Sequence, residues 1–193
     1  MARPREFDID TALDAAMGVF WDKGFEATSM ADLMAAMGLQ KGSIYKAFAD
    51  KHDLFMQVLD RYLGQMGEAL RQQVESYASP RQGIRAVLRS GGRVEGTGEG
   101  PSGCMAVNTL VELGPHDGGV AQRLKRHQQE MTGFFTQVIE RGQELGEIRR
   151  DIPAGQLAQT LMVFAAGTMS LCRGLLSPGE REEAADAAVE VIL

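Results

Sequence analysis

The stretch Gly38-Leu39-Gln40-Lys41-Gly42-Ser43-Ile44-Tyr45-Lys46-Ala47-Phe48 decides the fold. Glycine takes the left-handed conformation that ends a helix without steric cost, so Gly38 reads as a stop, and Leu39 turns back into a core. From Lys41 the spacing predicts a short second helix. Ile44 and Phe48 stand four residues apart on one face, leaving Lys41, Ser43, Tyr45 and Lys46 on the other. No acidic residue occurs from Gln40 to Phe48. One face anchors the helix; the opposite face offers two cations, a hydroxyl and a phenol, which suits a helix laid against phosphates and base edges in a major groove. Any short amphipathic surface helix shares this pattern, so the preceding segments must separate the two readings.

Ile9, Leu13, Ala16, Met17 and Phe20 recur at helical spacing behind Asp8, a capping residue, and Gly24 ends the run after Lys23. After Phe25 and Thr28-Ser29, the apolar stripe Met30, Leu33, Met34 and Met37 marks a second helix, with Asp32 placed for a capping-box variant on Ser29. A helix of about nine residues, a glycine turn of about four and a second short helix make a helix-turn-helix, and the first helix supplies the core that this pair lacks.

The run from Phe20 to Phe55 resembles the DNA-binding domain of TetR/AcrR-type transcriptional regulators. The resemblance rests on Phe20, Gly24, Phe25, Thr28, Ser29, Gly38, Lys41-Gly42-Ser43-Ile44-Tyr45, Phe48, Lys51, Leu54 and Phe55. The start Arg3-Pro4-Arg5-Glu6-Phe7-Asp8 is similar to the short basic arm of many members. One position departs from the pattern: the family usually has serine or threonine where Gln40 stands, which either weakens the helix start or frees Gln40 for DNA. On this reading Lys41, Ser43, Tyr45 and Lys46 face DNA, Gly42 lets the backbone approach, and Thr28 and Lys51 hold phosphates at helix starts. Arg3 and Arg5 follow the adjacent groove, and base readout falls on Gln40, Lys41 and Ser43.

The chain has 193 residues, 44% of them hydrophobic, enough to bury a core in one domain or two. It shows no cationic start followed by an apolar run and no apolar stretch of bilayer length, so a cytoplasmic protein without membrane contact is expected. Cys104 and Cys172 form neither a disulfide framework nor a paired-cysteine metal pattern. The net charge of −6 at first opposes a nucleic-acid partner. Up to residue 63 there are 7 Lys and Arg against 10 Asp and Glu, yet Gln40 to Phe48 carries +2. Binding is therefore expected to be local, salt-dependent and reliant on a dimer that doubles a modest set of contacts.

The remainder reads as helical. A helix from Asp50 or Lys51 carries Leu54, Phe55, Val58, Leu59 and Tyr62 and runs on past Leu70 and Val74 towards Tyr77, long enough to link two domains. Pro80 suits a first helical position before Ile84, Val87 and Leu88. From Gly91 to Gly103, six of thirteen residues are glycine, a break expected to be the most flexible inner stretch. Further helices are expected from Cys104 to Gly114, from about Asp117 to Leu145, after Ile152-Pro153, and after Ser177-Pro178. The one carrying Leu157, Leu161, Phe164, Thr168 and Leu171 is apolar nearly all round, which predicts burial on more than one side. Small residues Ala165, Ala166, Gly167, Ala184, Ala185 and Ala188 place self-association on the last two helices, as the resemblance also implies.

The expected architecture is all-α. Residues 1–50 form an N-terminal three-helix helix-turn-helix domain, closed by 51–62, and 51–193 form a helical ligand-binding and dimerisation domain. Met66, Met131, Phe134, Phe135 and Phe164 can line an apolar cavity, although such spacing also describes ordinary core. Asn108, Glu112, His116, His127 and Thr168 are polar candidates for orienting a ligand. No histidine pair has metal-ligand spacing, so neither metal nor cofactor is expected. Gly103-Cys104-Met105-Ala106-Val107-Asn108-Thr109 with Glu112-Leu113 resembles a motif of one subgroup, some of whose members respond to electrophiles or oxidants. A cysteine in the first turn of a helix favours a thiolate, Glu99 opposes this and Arg93 supports it; the other reading is a small buried hydrophobe. No GxxxxGK[ST], HExxH or GxSxG occurs, so an enzyme is not expected.

Together these features predict a regulator, most readily a repressor, that a small-molecule inducer releases from a palindromic operator on double-stranded DNA as a homodimer. The alternatives are a thiol-switched regulator using Cys104, or a helical small-molecule-binding or interaction protein without DNA binding.

Overall fold

The computed structural model describes residues 7–91 and 103–193. The basic arm with Arg3 and Arg5, and most of the glycine-rich break with Arg93 and Glu99, lie outside them. Among the described residues every regular element is a helix: α1 (Ile9–Lys23), α2 (Met30–Met37), α3 (Lys41–Ala47), α4 (Lys51–Glu75), α5 (Pro80–Ser90), α6 (Met105–Glu112), α7 (Gly118–Glu144), α8 (Ala154–Leu171) and α9 (Pro178–Ile192).

Local chemistry sets the helix ends. The Asp8 carboxylate accepts from Asp10 N at the start of α1, and Ser29 and Asp32 cap one another reciprocally at the start of α2. Gly38 ends α2 in the left-handed region at φ 63°. Asp50 caps α4, Pro80 opens α5 behind Ser79, and Ser177 with Glu180 forms a second capping box at α9.

Two apolar clusters hold the helices together. The first joins Leu13, Ala16 and Phe20 of α1, Leu33 of α2, Ile44 of α3 and Leu54 to Leu63 of α4. It then continues into Cys104 and Met105 at α6 and Val120 and Leu124 of α7. The core of the first three helices is thus closed by α6 as well as by the start of α4. The second gathers Leu70 and Val74 of α4 with residues of α5, α7, α8 and α9. Two long helices, α4 and α7, serve both clusters.

The burial predicted on several sides of α8 is incomplete in one protomer. Leu157, Ala158 and Leu161 are buried, but Val163 and Leu171 lie open, as do Leu175 and Val191 near α9. Of the small residues expected to meet a second copy, Ala185 and Ala188 are instead buried within the protomer. On its polar side α9 is tied to α5 by Arg81 and Arg85 on Glu190 and by Arg89 on Glu182 and Asp186.

Candidate nucleic-acid interface

Ile44 and Phe48 are each 1% exposed and pin α3 against the first core. The outward surface is then fixed: Gln40, Lys41, Gly42, Tyr45 and Lys46 are exposed, and Ser43 is half-buried. The Lys41 ammonium lies 5.8 Å from the centre of the Tyr45 ring. Neither Lys41 nor Lys46 is ion-paired among the described residues, whereas nearby acids are occupied elsewhere. Asp32 binds Lys23 at 2.6 Å, and Asp10 and Asp14 share Arg61. The Lys23 ammonium, then the Ser29 hydroxyl, hold Asp32 well below the usual carboxylate range. Asp10, Asp14 and Asp32 are thus paired within the domain, while α3 carries two cations and no acid in a chain of net negative charge.

At Gln40 the extended backbone starts α3 without a side-chain cap, and Ser43 N and Ile44 N both bond to its carbonyl, at 2.9 and 3.2 Å. The Gln40 side chain makes no capping bond.

Two residues expected to hold phosphate do something else. Thr28 is 2% exposed, and its hydroxyl donates to Gly24 O at 2.5 Å. The Lys51 ammonium donates to Phe25 O at 2.8 Å and Thr28 O at 3.0 Å, and stands 4.3 Å from the Phe25 ring centre. Both hold the turn between α1 and α2. The third holder is Glu112, expected as a ligand contact: its two carboxylate oxygens accept from Phe25 N at 3.0 Å and Glu26 N at 2.8 Å. The turn therefore gives its amides to α6 and its carbonyls to α4. Gly24 makes this possible, since it adopts φ 81° and a Cβ there would stand 2.8 Å from the Glu112 carboxylate. Glu112 is 87 residues from Phe25, and Lys51 is 26 residues from it. No local pattern marks either contact.

A second link crosses the same seam. Cys104 is not in the first turn of α6 but caps it without a side-chain bond, and it is buried. Its sulfur lies 3.4 Å from the Tyr62 hydroxyl, which accepts from Met105 N at 3.2 Å. Burial first, then the neighbouring sulfur, push the Tyr62 phenol well above its ordinary pKa. Tyr62 meets Trp21 of α1 edge-on at 5.2 Å. Trp21, Tyr62 and Cys104 thus run from α1 through α4 to α6.

The other expected ligand residues are dispersed. Met131 is buried at the wall of a cleft between α4 and α7, where Arg71, Arg123, Arg126 and His127 also lie. Phe135 is buried in the second core with Phe134 and Phe164 beside it, and Met66 touches both cores. Thr168 spends its hydroxyl on Phe164 O, and Asn108 and Glu112 border a different cleft between α1, α6 and α8. Cys172 closes α8, half-buried.

Residues 12–58 match the family of bacterial regulatory proteins of the tetR type, and residues 78–188 match the tetracyclin repressor-like C-terminal domain. The chain belongs to the TetR family. It is a DNA-binding transcriptional regulator with an N-terminal helix-turn-helix and a helical C-terminal part. It is 32% identical over 168 residues to the HTH-type transcriptional repressor ComR of Escherichia coli (strain K12), covering 86% of this chain and 79% of that protein. It is 29% identical over 151 residues to the HTH-type transcriptional repressor DhaR of Mycobacterium sp. (strain GP1), covering 78% and 75%. Among solved structures it is similar to a cysteine mutant of the TetR family transcriptional regulator CifR complexed with 26-bp double-strand operator DNA. That likeness has a TM-score of 0.84 and 31% identity over 97% of this chain and 98% of the other. In this TetR-family chain, α2 and α3 are the helix-turn-helix.

Proposed function

We propose that this regulator is a cytoplasmic repressor. Two copies, joined through α8 and α9, bind a palindromic operator and leave it when a small molecule occupies the C-terminal part, residues 51–193. The observation that carries this reading is the pairing of a free cationic face on α3 with a turn clamped from α4 and α6. Lys41, Gln40 and Ser43 read base edges, and Tyr45 and Lys46 contact phosphate, with Gly42 allowing close approach. The two relatives named as repressors, ComR and DhaR, and the operator complex of CifR support the direction of control.

The clamp supplies the mechanism. A ligand that displaces α6 or tilts α4 pulls on the Glu112 and Lys51 contacts, rotates the helix-turn-helix and changes the distance between the two recognition helices. Two-fold symmetry places those helices about 34–36 Å apart on one site, so a change of a few ångströms favours the released form. The uncovered Val163, Leu171, Leu175 and Val191 provide apolar surface for the second copy. Footprinting on the DNA upstream of its own gene tests the reading: a protected inverted repeat with two protomers per site is expected, and a protected site without two-fold symmetry contradicts it.

A second reading makes Cys104 the switch. Its sulfur touches Tyr62 at the join of α4, α6 and α1, so a bulky adduct there would part the same elements. A Cys104→Ser variant that still responds to the inducer removes this reading.

A further inference from the structure

Phe25 is held from one more side than the clamp accounts for. Its N–H goes to Glu112 of α6 and its carbonyl to Lys51 of α4, and its ring also meets the His52 ring edge-on, with centres 6.0 Å apart. His52, in the first turn of α4, bonds beyond the helix-turn-helix: its Nε2 lies 2.6 Å from Oδ2 of Asp117, 65 residues on in the chain. Asp117 is the cap of α7, and its two oxygens divide the work. Oδ1 accepts from Gly119 N at 2.9 Å and Val120 N at 3.0 Å, and Oδ2 takes His52. The Val120 amide first, and then His52, hold the Asp117 carboxyl below the usual carboxylate range.

Glu112 and Asp117 stand at the two ends of one corner. Glu112 closes α6 and Asp117 opens α7. Between them His116 N and Asp117 N both bond to Leu113 O, at 2.9 and 2.8 Å, and the Leu113 side chain is buried in the first core. Gly114 is required here, because a Cβ would run into the Leu110 carbonyl. At the other end, a Cβ on Gly119 would stand 3.2 Å from both Asp117 Oδ1 and the terminal methyl of Met56, so α7 starts close against α4. The corner is thus braced, and it carries two carboxylates, one on the α1–α2 turn and the other on the first turn of α4. A pair as open as His52 and Asp117, with side chains 46% and 23% exposed, adds little to stability. What it fixes is position.

We propose that His52 and Asp117 are positioning residues for operator binding. With Glu112 they seat the helix-turn-helix on the α6–α7 corner at two points, and so set where α3 stands relative to its copy in the dimer. One point of attachment permits rotation about it; a second removes that freedom. The pair also brings α7, which runs through both cores, into direct contact with the DNA-binding part. The proposal rests on the palindromic, two-fold reading above, because the placing of one α3 against the other matters only where two half-sites are read together.

Binding by the full-length protein is measured on the inverted repeat found by footprinting and on a DNA of equal length that keeps one half-site. His52→Leu removes the bond and leaves Asp117 to cap α7. It should weaken binding to the inverted repeat about tenfold, with half-site binding and the slope against salt unchanged and the thermal midpoint within a few degrees. His52→Gln, whose amide donates to Asp117, should recover most of the loss. Adding Glu112→Gln to His52→Leu should cost less than the two changes made separately, since both seat the same turn. Unchanged affinity for the inverted repeat in a folded His52→Leu protein overturns the proposal alone. An equal loss on the half-site DNA also overturns it, by making His52 a support of the DNA-binding fold or a contact to DNA itself. If the unaltered protein binds the half-site as tightly as the inverted repeat, the two-fold reading fails and the proposal fails with it.

Discussion

Thr28 and Lys46 show how far one side chain's surroundings decide its role. Both are polar residues of the helix-turn-helix, but Thr28 is sealed inside with its hydroxyl on Gly24 O, while Lys46 stands free. Replacing Thr28 by valine leaves a buried carbonyl short of a donor, so a loss of about 1–3 kcal/mol is expected in urea unfolding. The salt dependence of operator binding should not change, whereas a phosphate contact would lower its slope. Glu112 is read in the same way. Glu112→Gln exchanges a charged acceptor of two amides for a neutral one. Hydrogen exchange at Phe25 and Glu26 should then quicken roughly tenfold or more, while exchange in the middle of α7 stays as it was.

At the scale of elements, caps and stripes made most of the helices legible: Asp8, Ser29 with Asp32, Asp50, Pro80 and Ser177 each start a helix as their chemistry predicts. The outward face of α3 was legible too, because Ile44 and Phe48 can only point inward. What the clamp does was not, since Glu112, Lys51 and Thr28 act on a turn that the chain reaches from distant positions. The ligand residues were the least legible: a methionine or phenylalanine at helical spacing looks the same in a core as at a cavity wall. The α4/α7 contact adds a dependence on pH. Burial first, and the Arg71 charge besides, hold His127 below the ordinary histidine pKa, with Glu130 opposing. A lowered pKa means that the unfolded chain binds the proton more readily, so stability rises with pH and is lost as pH falls below about 6.5. Urea midpoints measured between pH 8 and pH 5.5 should decline, and His127→Gln should flatten that decline.

At the scale of the whole molecule, function comes down to two faces joined by one seam. The α3 face holds the only cations of the helix-turn-helix described residues left without an acidic or backbone partner, Lys41 and Lys46. The open apolar positions of α8 and α9 lie on the other part of the chain. Between them, α4 and α6 grip the α1–α2 turn through a few hydrogen bonds, the route by which the proposed mechanism carries movement in the larger part to α3. Because the chain as a whole is acidic, the proposed reading makes affinity for DNA depend on these few contacts, doubled by symmetry, and not on a general positive surface.

The measurement that bears most directly on this account is operator affinity across a salt series, with Lys46→Ala beside the unaltered protein. If a dimer contacts about eight phosphates, log affinity falls against log salt with a slope of about −7, and the alanine variant, changed in both subunits, flattens it by nearly two. A slope unchanged by Lys46→Ala, in a protein that still folds and binds, would place the DNA contact somewhere other than α3.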